Sequence, residues 1–181
     1  LHEGLAGYTP QDQFELAFRY AALTIDGKQG RATALNGTVP APLLRWREGS
    51  EVTLDVSNLL EDTQHASLHW HGVLVPPHMD GVPGLSFKGI PPGESYRYRF
   101  AVKQAGTYWY HSHSRFQEQS GAYGPIIIDP KHPEPFHYDR EHVVLLSDWT
   151  FEDPETIYRN INLEPEYYVY YQRTIQDYFR D

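Results

Sequence analysis

The chain has 181 residues, 15 basic and 24 acidic, for a net charge of −9, and it contains no cysteine. At roughly 150 residues per domain it holds one domain and a remainder, with length enough for a buried core. The missing cysteine excludes disulfides, thiolate metal sites, thiol catalysis and the thiolate of a blue-copper electron-transfer centre, and the acidic balance argues against nucleic-acid backbones as partners.

The elements follow in chain order. Phe14, Leu16, Phe18 and Tyr20 alternate, and Leu23 and Ile25 close that run. Val52, Leu54 and Val56 alternate next. Leu68 to Val75 is a third run, Tyr96 to Val102 a fourth, Thr107 to His113 a fifth and Ile126-Ile127-Ile128 a sixth. A period of two is the mark of a half-buried strand. The breaks carry turn residues: Asp26-Gly27, Asn36-Gly37, Pro83-Gly84, Pro91-Pro92-Gly93 and Ala105-Gly106. Short strands with frequent Gly and Pro turns predict an all-β sandwich or barrel. Lys131 to Arg140 is polar and reads as a linker. His142 to Trp149 is patterned as one more buried strand. Asp153-Pro154-Glu155 starts a helix, with a capping Asp, Pro at the first position and acid in the first turn. Pro165-Glu166 is expected to start a second helix running through Tyr178. The tail carries Tyr167, Tyr168, Tyr170, Tyr171, Tyr178 and Phe179, an aromatic load that needs another surface to pack on. No apolar run is long enough for a membrane helix. Leu1-His2-Glu3-Gly4 has no signal-peptide pattern, so any signal is expected to have been removed already.

Two motifs carry the chemistry: His69-Trp70-His71-Gly72 and His111-Ser112-His113. Both fall in expected strands, where residues i and i+2 share a face. Each motif therefore presents two imidazoles side by side. If the strands face one another, four imidazoles converge, a donor set suited to copper, zinc, iron or nickel. A single His-X-His pair is often only an exposed polar pair. Two pairs in one small domain favour a metal site. Each ligand His should spend its second ring nitrogen on a hydrogen bond, and Trp70 and Trp109 should pack the opposite face. His65, His78, His132, His137, His142 and His2 read as surface or hydrogen-bonding residues. Asp80, in the turn-rich Met79-Asp80-Gly81-Val82-Pro83-Gly84, reads either as a turn residue or as a carboxylate serving the metal site.

These motifs, in order, resemble the first cupredoxin domain of multicopper oxidases. The string is Leu35-Asn36-Gly37 with Pro40-Ala41-Pro42, Glu48-Gly49, the first His pair, Asp80-Gly81, Pro91-Pro92-Gly93, Gly106 through His113, and Gly121 through Pro130. Met79 to Phe87, Phe116-Gln117-Glu118-Gln119 and Asp139 to Trp149 look most like the bacterial periplasmic copper-resistance oxidases. The resemblance implies a Greek-key β-sandwich over residues 1–131, followed at 132–181 by a linker, one strand, a helical tail and the start of a second, incomplete domain. It implies copper as cofactor and a periplasmic location. His69 would bind the type 2 copper, His71 and His111 one copper of the type 3 pair, and His113 the other. Asp80 matches a family acid thought to assist proton delivery to bound oxygen.

The family's other four cluster ligands lie on His-X-X-His-X-His and His-Cys-His motifs, and neither is present in this sequence. The remaining domains of the same oxidase are the expected partners, supplying those ligands and the type 1 copper. The function implied is half of a trinuclear site that couples oxidation of Cu(I) or phenol-like substrates to reduction of dioxygen to water. Alone, the chain is expected to be inactive. The alternatives are a non-enzymatic periplasmic copper-binding or storage module, and a zinc hydrolase using Asp80 as its water-activating acid.

Overall fold

The computed structural model describes residues 9–85, 87–169 and 175–178. Two compact units divide the chain, Leu1–Asp148 and Trp149–Asp181. The first unit is an all-β Greek-key sandwich. Its strands are β1 (Gln13–Ile25), β2 (Lys28–Leu35), β3 (Leu44–Arg47), β4 (Glu51–Asn58), β5 (His69–His71), β6 (Ser95–Ala101), β7 (Gly106–His111) and β8 (Tyr123–Asp129). One sheet runs β2-β1-β4-β6 and the other β3-β8-β7-β5. The β1–β4 and β3–β8 pairs are parallel, and the others are antiparallel.

The expected runs become β1, β4, β5, β6, β7 and β8, though the third shrinks to the three residues of β5. Alternation is clearest in β4, where Val52, Leu54, Val56 and Asn58 point inward. β2 and β3 escaped the period-2 reading. β2 is defined by its pairing with β1 across Asp26-Gly27, both at positive φ (50° and 77°), the geometry of a tight hairpin turn.

The two sheets enclose an aromatic centre. Trp46, Trp70, Tyr98 and Tyr110 are fully buried. Trp70 packs edge-on against Trp46 and Tyr98, with centroids 5.7 and 5.2 Å apart. Burial pushes the Tyr98 and Tyr110 hydroxyls far above the ordinary tyrosine range. Both hydroxyls remain bonded: Tyr98 accepts from the Leu68 N–H, and Tyr110 donates to the Pro42 carbonyl at 2.6 Å. At one sheet end, Arg45 of β3 grips Asp129 of β8 with two nitrogens and reaches Glu141 at 3.2 Å.

The pattern at His142–Trp149 does not form a strand. That stretch has no ladder partner among the described residues, and Val144 and Leu146 are exposed. An apolar run becomes a strand only when a neighbour takes up the backbone hydrogen bonds. In the second unit, α1 (Pro154–Leu163) starts as expected, with the Asp153 carboxylate accepting from the Thr156 N–H. The second expected helix appears as the single turn α2 (Ile175–Tyr178); residues 170–174 and 179–181 lie outside the described residues. Residues 165–169 form turns instead of helix. α1 buries no residue within its unit, and Tyr158, Ile161 and Leu163 are exposed there.

Candidate metal centre

β5 and β7 are adjacent antiparallel neighbours, with His69 opposite His111 and His71 opposite Trp109. The two His pairs therefore meet side by side within one sheet, rather than across the sandwich. His113 lies just beyond the end of β7, yet its ring stays with the group. His69 stands 5.7, 5.4 and 5.2 Å, ring to ring, from His71, His111 and His113. Donor nitrogens of His69, His71 and His111 all lie within 4.8 Å of one another. His113 is brought beside them without joining that tighter triad; its ring is 5.4 Å from that of His111.

The alternation that turns His69 and His71 outward turns Trp70 into the core. Trp70 also anchors the next loop, because its indole N–H donates to the Met79 carbonyl at 3.0 Å. The following residue, Asp80, meets His69. The His69 Nδ1 is 2.9 Å from the Asp80 carbonyl and 3.2 Å from its carboxylate. A carbonyl only accepts, so Nδ1 carries the proton and Nε2 is left with the lone pair that a metal would take. Asp80 is thus both a turn residue and a neighbour of the cluster.

His111 is held in the same manner. Its Nδ1 lies 3.0 Å from the Ser112 carbonyl and 2.7 Å from a Glu118 carboxylate oxygen. Burial holds its pKa below the ordinary histidine value, against the opposing pull of Ser112 and Glu118. The neutral ring is the form that ligates a metal. His71 is turned the other way, with its Nδ1 facing His111 Nε2 at 3.2 Å. A metal–imidazole bond is about 2.0 Å, so two nitrogens on one tetrahedral ion stand roughly 3.3 Å apart. The observed separation fits a shared cation, and the all-imidazole donor set suits copper.

Trp109 does not pack the opposite face. It has the same parity as His111 and lies against the imidazoles, stacked on His111 at 4.2 Å and on His71 at 5.0 Å. Below the cluster lies a buried hydroxyl network. Ser67 accepts from the His113 N–H and the Ser114 hydroxyl, while Ser112 donates to Gln117. Of the other histidines, His65 contacts the Lys88 carbonyl, His78, His132, His137 and His142 are exposed, and His2 lies outside the described residues.

The multicopper oxidase family model matches residues 17–133, which contain all four clustered histidines. The chain belongs to the multicopper oxidase family. It is 53% identical over 169 residues to copper resistance protein A of Pseudomonas syringae pv. tomato, covering 93% of this chain and 27% of that protein. Copper resistance protein A of Escherichia coli is 52% identical over 169 residues, covering 93% of this chain and 28% of the relative. Among solved structures, a mutant of the laccase from B. aclada superposes with a TM-score of 0.76 at 36% identity, covering 84% of this chain and 28% of the laccase. The chain spans less than a third of the length of these relatives. The family is a copper family, and the clustered imidazoles of His69, His71 and His111 fit a partial ligand set for that metal. No described helix is long and apolar enough to cross a membrane.

Sequence reasoning singled out the histidines and Asp80, named Glu118 only within a family motif and gave it no role, and passed over Ser67 and the stacking of Trp109. The parity of residues 109 and 111 already placed that Trp beside the cluster. Nothing local in the sequence signals Ser67, which reaches His113 across a separation of 46 residues.

Proposed function

We propose that this chain supplies four histidine ligands of a copper cluster in an oxidase that reduces dioxygen to water. His69 would serve the type 2 copper, His71 and His111 one type 3 copper, and His113 the other. The observation that carries this reading is the 3.2 Å approach of His71 Nδ1 to His111 Nε2 inside a group of four imidazoles. Copper held there would supply one-electron redox chemistry toward dioxygen.

The protein's own residues prepare that site. The carbonyls of Asp80 and Ser112 fix the protons of His69 and His111 on Nδ1 and orient Nε2 toward the cluster. Trp109 covers one side of the His71 and His111 rings. The Asp80 carboxylate, 37% exposed and 3.2 Å from His69 Nδ1, would pass protons from solvent to the site. His71 and His113 are exposed, so the site is open on that side. The remaining ligands and a thiolate-bound type 1 copper would come from further domains of the same oxidase. Cu(I) or a phenol-like molecule is the substrate class we assign, and the periplasm is the location. Residues 132–181 would be the linker and the opening of the second domain.

The test is copper content and oxygen uptake by the full-length protein carrying this chain. His71→Ala with His113→Ala should lower bound copper and abolish oxygen uptake with Cu(I) or a phenol. Unchanged copper stoichiometry in the double variant would refute the site. Copper bound in the native protein without substrate-dependent oxygen uptake would favour the storage module.

A further inference from the structure

Two of the clustered imidazoles share one arrangement. At His69, Nδ1 faces a carbonyl at 2.9 Å and a carboxylate at 3.2 Å, both from Asp80. At His111, Nδ1 faces the Ser112 carbonyl at 3.0 Å and the Glu118 carboxylate at 2.7 Å. The carbonyl suffices to hold the single proton on Nδ1. The carboxylate adds something the carbonyl cannot, a full negative charge beside the ring. A carboxylate at the outer nitrogen of a ligating imidazole raises the basicity of the inner one.

Glu118 is placed there by its own turn. Its neighbour Gln117 is buried and pinned on both sides, donating to the His65 carbonyl and accepting from Ser112 Oγ. The backbone closes around it, with the Ala122 N–H donating to the Gln117 carbonyl and the Gly121 N–H to the Glu118 carbonyl, both at 2.9 Å. Arg115 enters the turn at a positive φ of 50°. The hydrogen bonds that close the turn run through the Gln117 side chain and the backbone, including the Glu118 carbonyl, while the Glu118 carboxylate, on a side chain 46% exposed, reaches the buried His111 ring.

We propose that Glu118 is a positioning residue whose charge acts through His111 to favour copper(II) over copper(I) at the site. The inference rests on the copper reading of the histidine cluster. A negative charge near the metal stabilises the more highly charged ion. A neutral residue of the same shape keeps the turn but loses that preference.

The experiment compares copper(II) and copper(I) affinities of the full-length protein by competition with chelators. The native protein, Glu118→Gln and Glu118→Asp are measured together with their melting temperatures. Glu118→Gln should lower copper(II) affinity about tenfold, the lower end for loss of such an outer partner, and leave copper(I) affinity nearly unchanged, so that the preference falls about tenfold. That equals a rise of about 59 mV in the one-electron potential. The melting temperature should stay unchanged, and Glu118→Asp should recover part of the preference. An unchanged preference in Glu118→Gln, or equal weakening of both oxidation states, overturns the proposal. A native protein that binds no copper overturns the cluster reading itself.

Discussion

Gly81 links the stability of the sandwich to the geometry of His69. It sits at φ +70°, and a Cβ built there would lie 1.9 Å from the Leu68 carbonyl oxygen, 2.8 Å from its carbon and 3.1 Å from the Tyr98 hydroxyl. None of these can retreat. Leu68 is fully buried beside β5, and Tyr98 is fully buried and bonded to the Leu68 N–H. Gly81→Ala must therefore push the 79–84 loop off the sheet. The left-handed backbone costs about 1–2 kcal/mol for a residue with a Cβ. Overpacking adds about 1–3 kcal/mol. Gly93 supplies the control, because its φ of +78° is similar and nothing lies within 4 Å of its Cβ position. Gly93→Ala should lose only the backbone part, about 1–2 kcal/mol. Gly81→Ala should lose about 2–5 kcal/mol, a melting temperature lower by roughly 10 °C. The displaced loop carries Asp80, so His69 also loses both Nδ1 partners. Copper affinity should fall about 10–100-fold in Gly81→Ala and stay unchanged in Gly93→Ala. Thermal unfolding and chelator competition read the two effects. Equal stability losses in both variants would refute the contact argument. Normal copper affinity in a destabilised Gly81→Ala protein would refute the role of the loop in holding His69.

Two further outcomes follow from other contacts. Asp80→Asn keeps the backbone carbonyl on His69, so copper content should hold while oxygen reduction by the full-length protein slows by about 10²–10⁴-fold if its carboxylate carries protons; unchanged turnover would return Asp80 to a purely conformational role. The Tyr20 hydroxyl donates to Asp62, and burial with that carboxylate pushes its pKa up to about 12. Its stabilisation is complete below the unfolded pKa near 10 and is lost as pH rises through about 12. Tyr20→Phe should lower stability at neutral pH by about 1–2 kcal/mol and remove that alkaline loss, as urea unfolding at stepped pH would show. The same alkaline slope in the variant would contradict it.

Legibility followed the range of each interaction. Alternation announced β4 and β6, because burial of every second residue is written locally. It missed β2, where Gly30, Ala32 and Ala34 give little hydrophobic contrast and pairing with β1 defines the strand. The continuous apolar run at His142–Trp149 overstated a strand, because no ladder partner lies among the described residues. The helix start at Asp153 was legible because a cap is a contact over three residues.

The absence of cysteine and the two His-X-His pairs were decided by the sequence alone. They name the donor atoms and exclude a thiolate from this chain. The period of two also decided that His69 and His71 share a face of β5, whereas His113 lies beyond the end of β7 and owes its place beside His111 to the tertiary structure. Only the tertiary structure decided that β5 and β7 are neighbours in register, so that His69 meets His111. It alone decided which ring nitrogens of three of the four face the cluster, since the Asp80 and Ser112 carbonyls occupy Nδ1 of His69 and His111, while Nδ1 of His71 faces His111 Nε2. Local spacing determines which side chains point together. The distances between strands, and the partners that orient each imidazole, arise from contacts between residues far apart in the chain.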